Sequence, residues 1–280
     1  MCLIAFAIQA NAHWPLVIAS NRDEAHTRPT APLARWRGPN GHTIVSGRDL
    51  RDGGAWLGVS EGGRVAMLTN VRIPQPLTGP RSRGELVARW LDGDASFEAY
   101  CEALNLPDEA GSFGGFNLVV GDWCTGQWVW ASNMEDGRRS PLRSRILVPG
   151  IYGLSNAALD TPWPKTLALK AALQSTLSTD QGVSDFEGLV ERLLPPLSSR
   201  EPAPVQDLPD TGVGLERELA LSSAFVDLPG YGTRCSAVIG LHVPGDAPGL
   251  LRFRELAHQG PAWPREESLP WPAQNRSSGL

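Results

Sequence analysis

Residues 2–24, CLIAFAIQANAHWPLVIASNRDE, carry the two features on which the reading of this chain turns. Cys2–Ile8 is an unbroken apolar run of strand length, and Leu16–Ala19 is a second, separated from the first by a polar loop with Pro15. A secretory leader carries basic residues ahead of its apolar stretch, and nothing positive precedes Cys2. Cys2–Gln9 is therefore read as a buried first strand, and the expected location is cytoplasmic. If the two runs pair as a hairpin, the end of the second lies beside the start of the first. Asn21-Arg22-Asp23-Glu24 then comes to rest next to Cys2.

That juxtaposition has chemical content. Met1 is readily removed when a small residue follows it, and Cys2 would then bear a free α-amine. The amine ionises at ~7.7–8.0 and the thiol at ~8.5, so one residue could supply both nucleophile and base. The competing reading is a cysteine that only starts a buried strand, as free cysteines often do. Asp23 could hold the amine, while Asn21, Arg22 and Glu24 are candidate ligand contacts. The plainer reading of this cluster is a polar turn at a strand end.

Working outward, strands are expected at Thr43–Ser46, Ala55–Ser60, Arg64–Asn70, Phe116–Gly121, Gln127–Ser132, Arg145–Val148, Tyr152–Asn156, Arg234–Val243 and Leu250–Glu255. Helices are expected at Gly84–Leu91, Phe97–Leu104, from a Thr161 cap to about Leu177, and over Asp185–Leu194, stopped by Pro195-Pro196. Strand runs flanking grouped helices imply an α+β fold of antiparallel sheets. One domain is expected over 1–256, followed by a Pro-rich, mobile tail over 257–280.

Composition removes several classes. The 280 residues are 41% hydrophobic and 20% charged, which supports a core and argues against a disordered polyelectrolyte. Four cysteines are too few for a disulfide scaffold. A net charge of −5 lacks the basic footprint of a nucleic-acid binder, and no apolar run approaches the ~20 residues of a membrane span. Of 25 basic residues only Lys165 and Lys170 are lysines. Gly58-Val59-Ser60-Glu61-Gly62 matches a serine-nucleophile motif, but a strand follows where a helix is required, so it reads as a hairpin. The five histidines lack metal-ligand spacing, and no metal site is expected. Asn70 and Asn156 each end an apolar strand, where a side-chain amide suits an oxyanion. Arg234 opens a late strand.

Eight motifs occur in order: Met1-Cys2-Leu3-Ile4, Asn21-Arg22-Asp23-Glu24, Gly54-Ala55-Trp56-Leu57-Gly58, Leu68-Thr69-Asn70, Arg83-Gly84-Glu85-Leu86-Val87, Gly115-Phe116-Asn117-Leu118, Tyr152-Gly153-Leu154-Ser155-Asn156 and Pro229-Gly230-Tyr231-Gly232-Thr233-Arg234. Together they resemble the transport-and-Golgi-organisation family, also called the NRDE family, over about residues 1–256. The resemblance implies a four-layer αββα sandwich of the N-terminal-nucleophile (Ntn) hydrolase type. By likeness to the choloylglycine and penicillin acylases it also implies a catalytic set of Cys2, Asp23, Asn70, Asn156 and Arg234. Those enzymes place an Arg three residues before the Asp; here Ser20 stands at that spacing and Arg22 adjoins Asp23. The family is linked to haem movement and to acyl-coenzyme A or lipid handling. Two functions therefore stand side by side. One is a protein that binds or traffics haem or an acyl-coenzyme A, with His13, His26 or Cys2 on haem iron and Arg22, Arg72 or Arg81 on phosphate or propionate groups. The other is a cysteine hydrolase that cleaves a linear amide or thioester bond through Cys2.

Overall fold

The computed structural model describes residues 2–106, 109, 111–178, 183–244, 249–259 and 264–272. Two seven-stranded antiparallel sheets form its centre. In the first, β1 (Cys2–Ile8) lies between β10 (Gly150–Leu154) and β2 (Leu16–Ala25), and β2 is followed by β12 (Tyr231–His242), β13 (Gly249–Ala257) and β14 (Arg265–Trp271); the short β11 (Asp227–Leu228) pairs with β12. The second runs in chain order from β3 (Thr30–Arg37) through β4 (Thr43–Asp49), β5 (Leu57–Ser60), β6 (Arg64–Asn70), β7 (Phe116–Asp122) and β8 (Gln127–Glu135) to β9 (Arg138–Ile146).

The unbroken hydrophobicity of β1 now has its cause. Strand side chains alternate between faces, and here both faces are covered. Ile4, Phe6 and Ile8 enter the core between the sheets. Leu3, Ala5 and Ala7 pack under α3 (Pro164–Ser178) and α4 (Phe186–Leu197). On the far side, α1 (Gly84–Leu91) and α2 (Phe97–Leu104) cover the outer face of the second sheet with Leu86, Val87, Trp90 and Leu104. The layer order is helix, sheet, sheet, helix. Ser60 sits in the expected β5–β6 hairpin, where Gly63 N–H bonds the Ser60 carbonyl at 3.0 Å.

Several expectations need correction. Asn21–Glu24 is not a turn after the second strand; β2 continues to Ala25, because β12 supplies a backbone partner as far as Tyr231. Tertiary pairing overrides the polar, turn-like composition. The strand Thr30–Arg37 was hidden by Pro32, which falls at a register shift of an edge strand, where a missing N–H is tolerated. Helix α4 runs through Pro195 and Pro196; the two N–H groups they lack would have served the Glu191 and Arg192 carbonyls on the exposed face. Thr161 is no cap, since its hydroxyl donates to the Ala158 carbonyl. The short helix α5 (Leu215–Ala220) was not foreseen.

The boundary at 256 falls inside β13, and the segment read as a mobile tail supplies β14. Leu269 and Trp271 anchor that strand in the core between the sheets. Pro270 again sits on an edge strand. Asn275-Arg276-Ser277, which has the pattern of a glycosylation sequon, lies outside the described residues.

Candidate active site

The β1–β2 register sets Cys2 opposite Arg22, and the β2–β12 register sets Arg22 opposite Cys235. The three side chains form a row on the face between the sheets. Arg22 crosses to the second sheet and lies over the Trp56 ring, 4.1 Å from its centroid. It also donates to Thr30 Oγ1 at 3.3 Å and stands 3.9 Å from Glu24. Gly47 makes room for this stack, because a Cβ there would fall 2.3 Å from the Trp56 ring.

Asp23 faces the opposite way. It is buried, and the Thr233 hydroxyl donates to Oδ1 at 2.7 Å while the Tyr231 hydroxyl donates to its backbone carbonyl at 3.2 Å. Between Thr233 and Cys235 the register shifts, so Arg234 is the extra residue of a bulge. The ends of β6 and β10 are tied together beneath Cys2. Asn156 Nδ2 donates to the Asn70 carbonyl at 2.9 Å, the Arg72 N–H donates to the Asn156 carbonyl at 2.7 Å, and the Ser155 hydroxyl donates to the Cys2 carbonyl at 3.2 Å.

Cys2 opens into a cleft of about 710 Å³ whose lining includes seven arginines and four carboxylates. Most of the arginines are committed. Arg28 meets Asp49 and Asp52, both at 2.5 Å. Arg81 is bound by Glu85 and by Glu109. Arg72 pairs with Glu218 at 2.5 Å, both being buried, and lies over Trp163. Arg83 donates to the Gly115 carbonyl at 3.3 Å. Burial pushes its guanidinium pKa down, with Glu24 and Cys2 opposing. Burial pushes the Cys2 thiol up, and Asp23 adds to this while Arg22 opposes it.

Behind Asp23 lies Lys165, fully enclosed, with Nζ donating to the Leu221 carbonyl at 2.9 Å. Burial pushes its ammonium pKa down to about 8, against the pull of Asp23. A lowered lysine means that the unfolded chain holds more protons between about 8 and its ordinary value near 10.5, so this residue's contribution to stability rises with pH across that window. Lys165→Met should abolish that rise and stabilise the protein below pH ~8. Urea midpoints measured across the window check it; an identical pH profile in the variant would contradict it.

The cleft therefore brings together Cys2, Arg22, Asp23, Glu24, Asn70, Arg72 and Arg81, with Asn156 directly beneath Asn70. Four expected residues lie elsewhere. Asn21 faces the helices, donating to the Leu197 and Ala224 carbonyls and accepting from Ser236. Arg234 lines a separate 270 Å³ cavity beside Cys235 and Glu255, and one of its Nη atoms braces the Ala25 and Arg28 carbonyls. His13 is in the β1–β2 loop, at the other end of the strand from Cys2 and about 20 Å away. His26 packs over Gly232, outside the cleft lining. Among the described residues no cluster of three or more His, Cys, Asp or Glu could hold a metal, and no helix is long and apolar enough to cross a membrane.

Arg83, Trp56 and Lys165 were not singled out from the sequence. Trp56 and Arg83 both sit in quoted motifs whose glycines mark a close backbone approach. Lys165 had its rarity among 23 arginines as the signal.

A family model described as Transport and Golgi organisation 2 matches residues 1–247. The Transport and Golgi organization protein 2 homolog of Homo sapiens is 34% identical over 271 residues, covering 91% of this chain and 92% of that one. The Bos taurus homolog is 34% identical over 276 residues, covering 93% and 94%. Among solved structures, a mutant conjugated bile acid hydrolase of Clostridium perfringens superposes with a TM-score of 0.51 over 97% of this chain and 98% of that one, at 9% identity. The fold is that of the Ntn hydrolases.

Proposed function

The chain belongs to the Transport and Golgi organisation 2 family, and from that premise we propose that its cleft at Cys2 binds an acyl-coenzyme A or similar anionic acyl ligand. The observation that carries this reading is the wall: of its seven guanidinium groups, Arg83 and Arg217 have no carboxylate partner among the described residues, and no imidazole lines it. Guanidinium forks match phosphate oxygens. Arg217, exposed at the rim, and the half-committed Arg51 suit the phosphates of the coenzyme. Leu68, Val71, Ile73, Leu77, Val213 and Leu221 give apolar wall to an acyl chain. Haem fits less well. With His13 and His26 outside the cleft, its iron is left with Cys2 alone.

Titration with palmitoyl-coenzyme A and with haemin, followed by tryptophan fluorescence, tests the choice. Saturable binding of palmitoyl-coenzyme A that weakens as salt is raised is expected. Saturable haemin binding with no response to palmitoyl-coenzyme A would reverse it.

The hydrolase reading keeps one specific support, the Cys2–Asn70–Asn156 arrangement. Asn70 lines the cleft with Cys2, so its side-chain amide is the candidate donor to the oxyanion of a carbonyl placed against the Cys2 sulfur, while the Asn156 amide holds the Asn70 carbonyl. Attack by sulfur would expel the coenzyme thiol, and water would then cleave the acyl-enzyme to the acid. Thiol release from palmitoyl-coenzyme A, lost in Cys2→Ala, supports turnover. An intact mass that retains Met1 removes the α-amine as the base.

A further inference from the structure

Arg22, Arg72 and Arg83 line the cleft together with Cys2, and they are not equivalent. Arg22 is stacked on Trp56, bonded to Thr30 and drawn to Glu24. Arg72 is neutralised by Glu218. Among the described residues, Arg83 makes one polar contact, to the Gly115 carbonyl, and has no carboxylate within ion-pair distance. A guanidinium carries five N–H donors in a fixed fork, so four remain for whatever enters the cleft.

Its placement is built into the fold. A Cβ on Gly54 would fall 2.3 Å from the Gly84 carbonyl carbon, and the Ala55 N–H bonds the Gly84 oxygen at 3.1 Å. The start of α1 is thereby pressed against the loop that leads to Trp56. On the other side, a Cβ on Gly114 would stand 3.3 Å from Arg83 Nη1 and 2.3 Å from the Leu77 oxygen. Glycines on both flanks hold the guanidinium at the wall that it shares with Cys2.

We infer that Arg83 anchors an anion subsite beside Cys2, which takes the carboxylate or phosphate group of a ligand whose reactive carbon reaches the Cys2 sulfur. The inference rests on the cleft being the ligand site and not on the ligand being an acyl-coenzyme A. It extends the arginine-lined reading by naming the residue that fixes how far the ligand's anionic group stands from its reactive carbon.

Iodoacetate and iodoacetamide test it, because they share a leaving group and only the first carries a carboxylate. With either reagent the Cys2 thiolate displaces iodide, a carbon–sulfur bond forms, and the thiol proton passes to buffer. Mass spectrometry of the Cys2 peptide gives the rates. Labelling by iodoacetate should saturate with concentration, exceed the iodoacetamide rate by about 10-fold, and be suppressed by acetate or inorganic phosphate. The stronger competitor names the natural group. Arg83→Met should abolish saturation and slow iodoacetate far more than iodoacetamide, and Arg83→Lys should lie between. Non-saturating labelling of the wild type, with iodoacetate slower than iodoacetamide, overturns the subsite, as does unchanged saturation in Arg83→Met. If Arg83→Met fails to fold, wild-type saturation and its competition by acetate or phosphate decide. Absence of palmitoyl-coenzyme A binding alongside saturable iodoacetate labelling would discard the acyl-coenzyme A reading and keep the subsite.

Discussion

Replacing Glu218 with alanine should lower the unfolding free energy by about 3–5 kcal/mol, because it strands a buried guanidinium. Arg72 and Glu218 are each almost wholly enclosed and meet at 2.5 Å. The Arg72 guanidinium has few other partners, chiefly the Leu221 carbonyl at 3.4 Å and the Trp163 face. Burial already pushes its pKa down, and Glu218 is the main force opposing that. Glu218 also accepts from the Thr211 N–H at 2.9 Å, which holds the Gly212–Val213 wall of the cleft. The double variant Arg72→Met with Glu218→Met should recover most of the loss, since apolar pairs often replace buried ion pairs at little cost. Urea denaturation of the two variants checks both statements. A loss under about 1 kcal/mol in Glu218→Ala, the range of exposed pairs, would show that the pair is solvated.

Trp56→Ala should cost about 3–5 kcal/mol, the usual range for truncating a buried large aromatic. It should also weaken ligand binding. Trp56 is buried in the core between the sheets and is the platform for Arg22. Without the ring, Arg22 loses its cation–π contact and gains room to swing away from Cys2. Trp56→Phe keeps a smaller face and should lose much less. Gly47→Ala should resemble Trp56→Ala in direction, because its methyl would occupy the space of the ring. Thermal unfolding together with palmitoyl-coenzyme A titration reads both effects. Equal ligand affinity in Trp56→Ala and wild type would show that the Arg22–Trp56 stack has no part in the site.

Much of this architecture is legible in the chain. The unbroken apolar run Cys2–Ile8 states that β1 is covered on both faces, and the hairpin inferred from it brings Arg22 opposite Cys2 as observed. Helices α1 and α2 follow directly from their apolar spacing. What escaped depends on long-range pairing. Nothing local in Asn21–Glu24 says strand; the partner that makes it one, Tyr231–Cys235, lies more than two hundred residues away. Nothing local in Arg265–Trp271 says that Leu269 and Trp271 enter the core.

The site divides in the same way. Cys2 and Asn70, strand ends on the face between the sheets, line the cleft as their position along a strand leads one to expect. Arg234 was misplaced because a bulge turns it out of register, and a bulge leaves no mark in composition. Asn21 was misplaced because one residue along a strand reverses the face. Arg83 was passed over because its lack of a carboxylate partner among the described residues shows only in the folded cleft.

The central claim is that the cleft ending at Cys2 is where this chain holds its ligand. The most direct measurement is the rate of Cys2 alkylation by iodoacetamide as palmitoyl-coenzyme A is added, with Cys101 and Cys124 as references outside the cleft lining. The account predicts that Cys2 labelling slows and saturates at the concentration that saturates binding, while the reference cysteines label at unchanged rates. Saturable binding that leaves Cys2 labelling untouched would place the ligand elsewhere and contradict it.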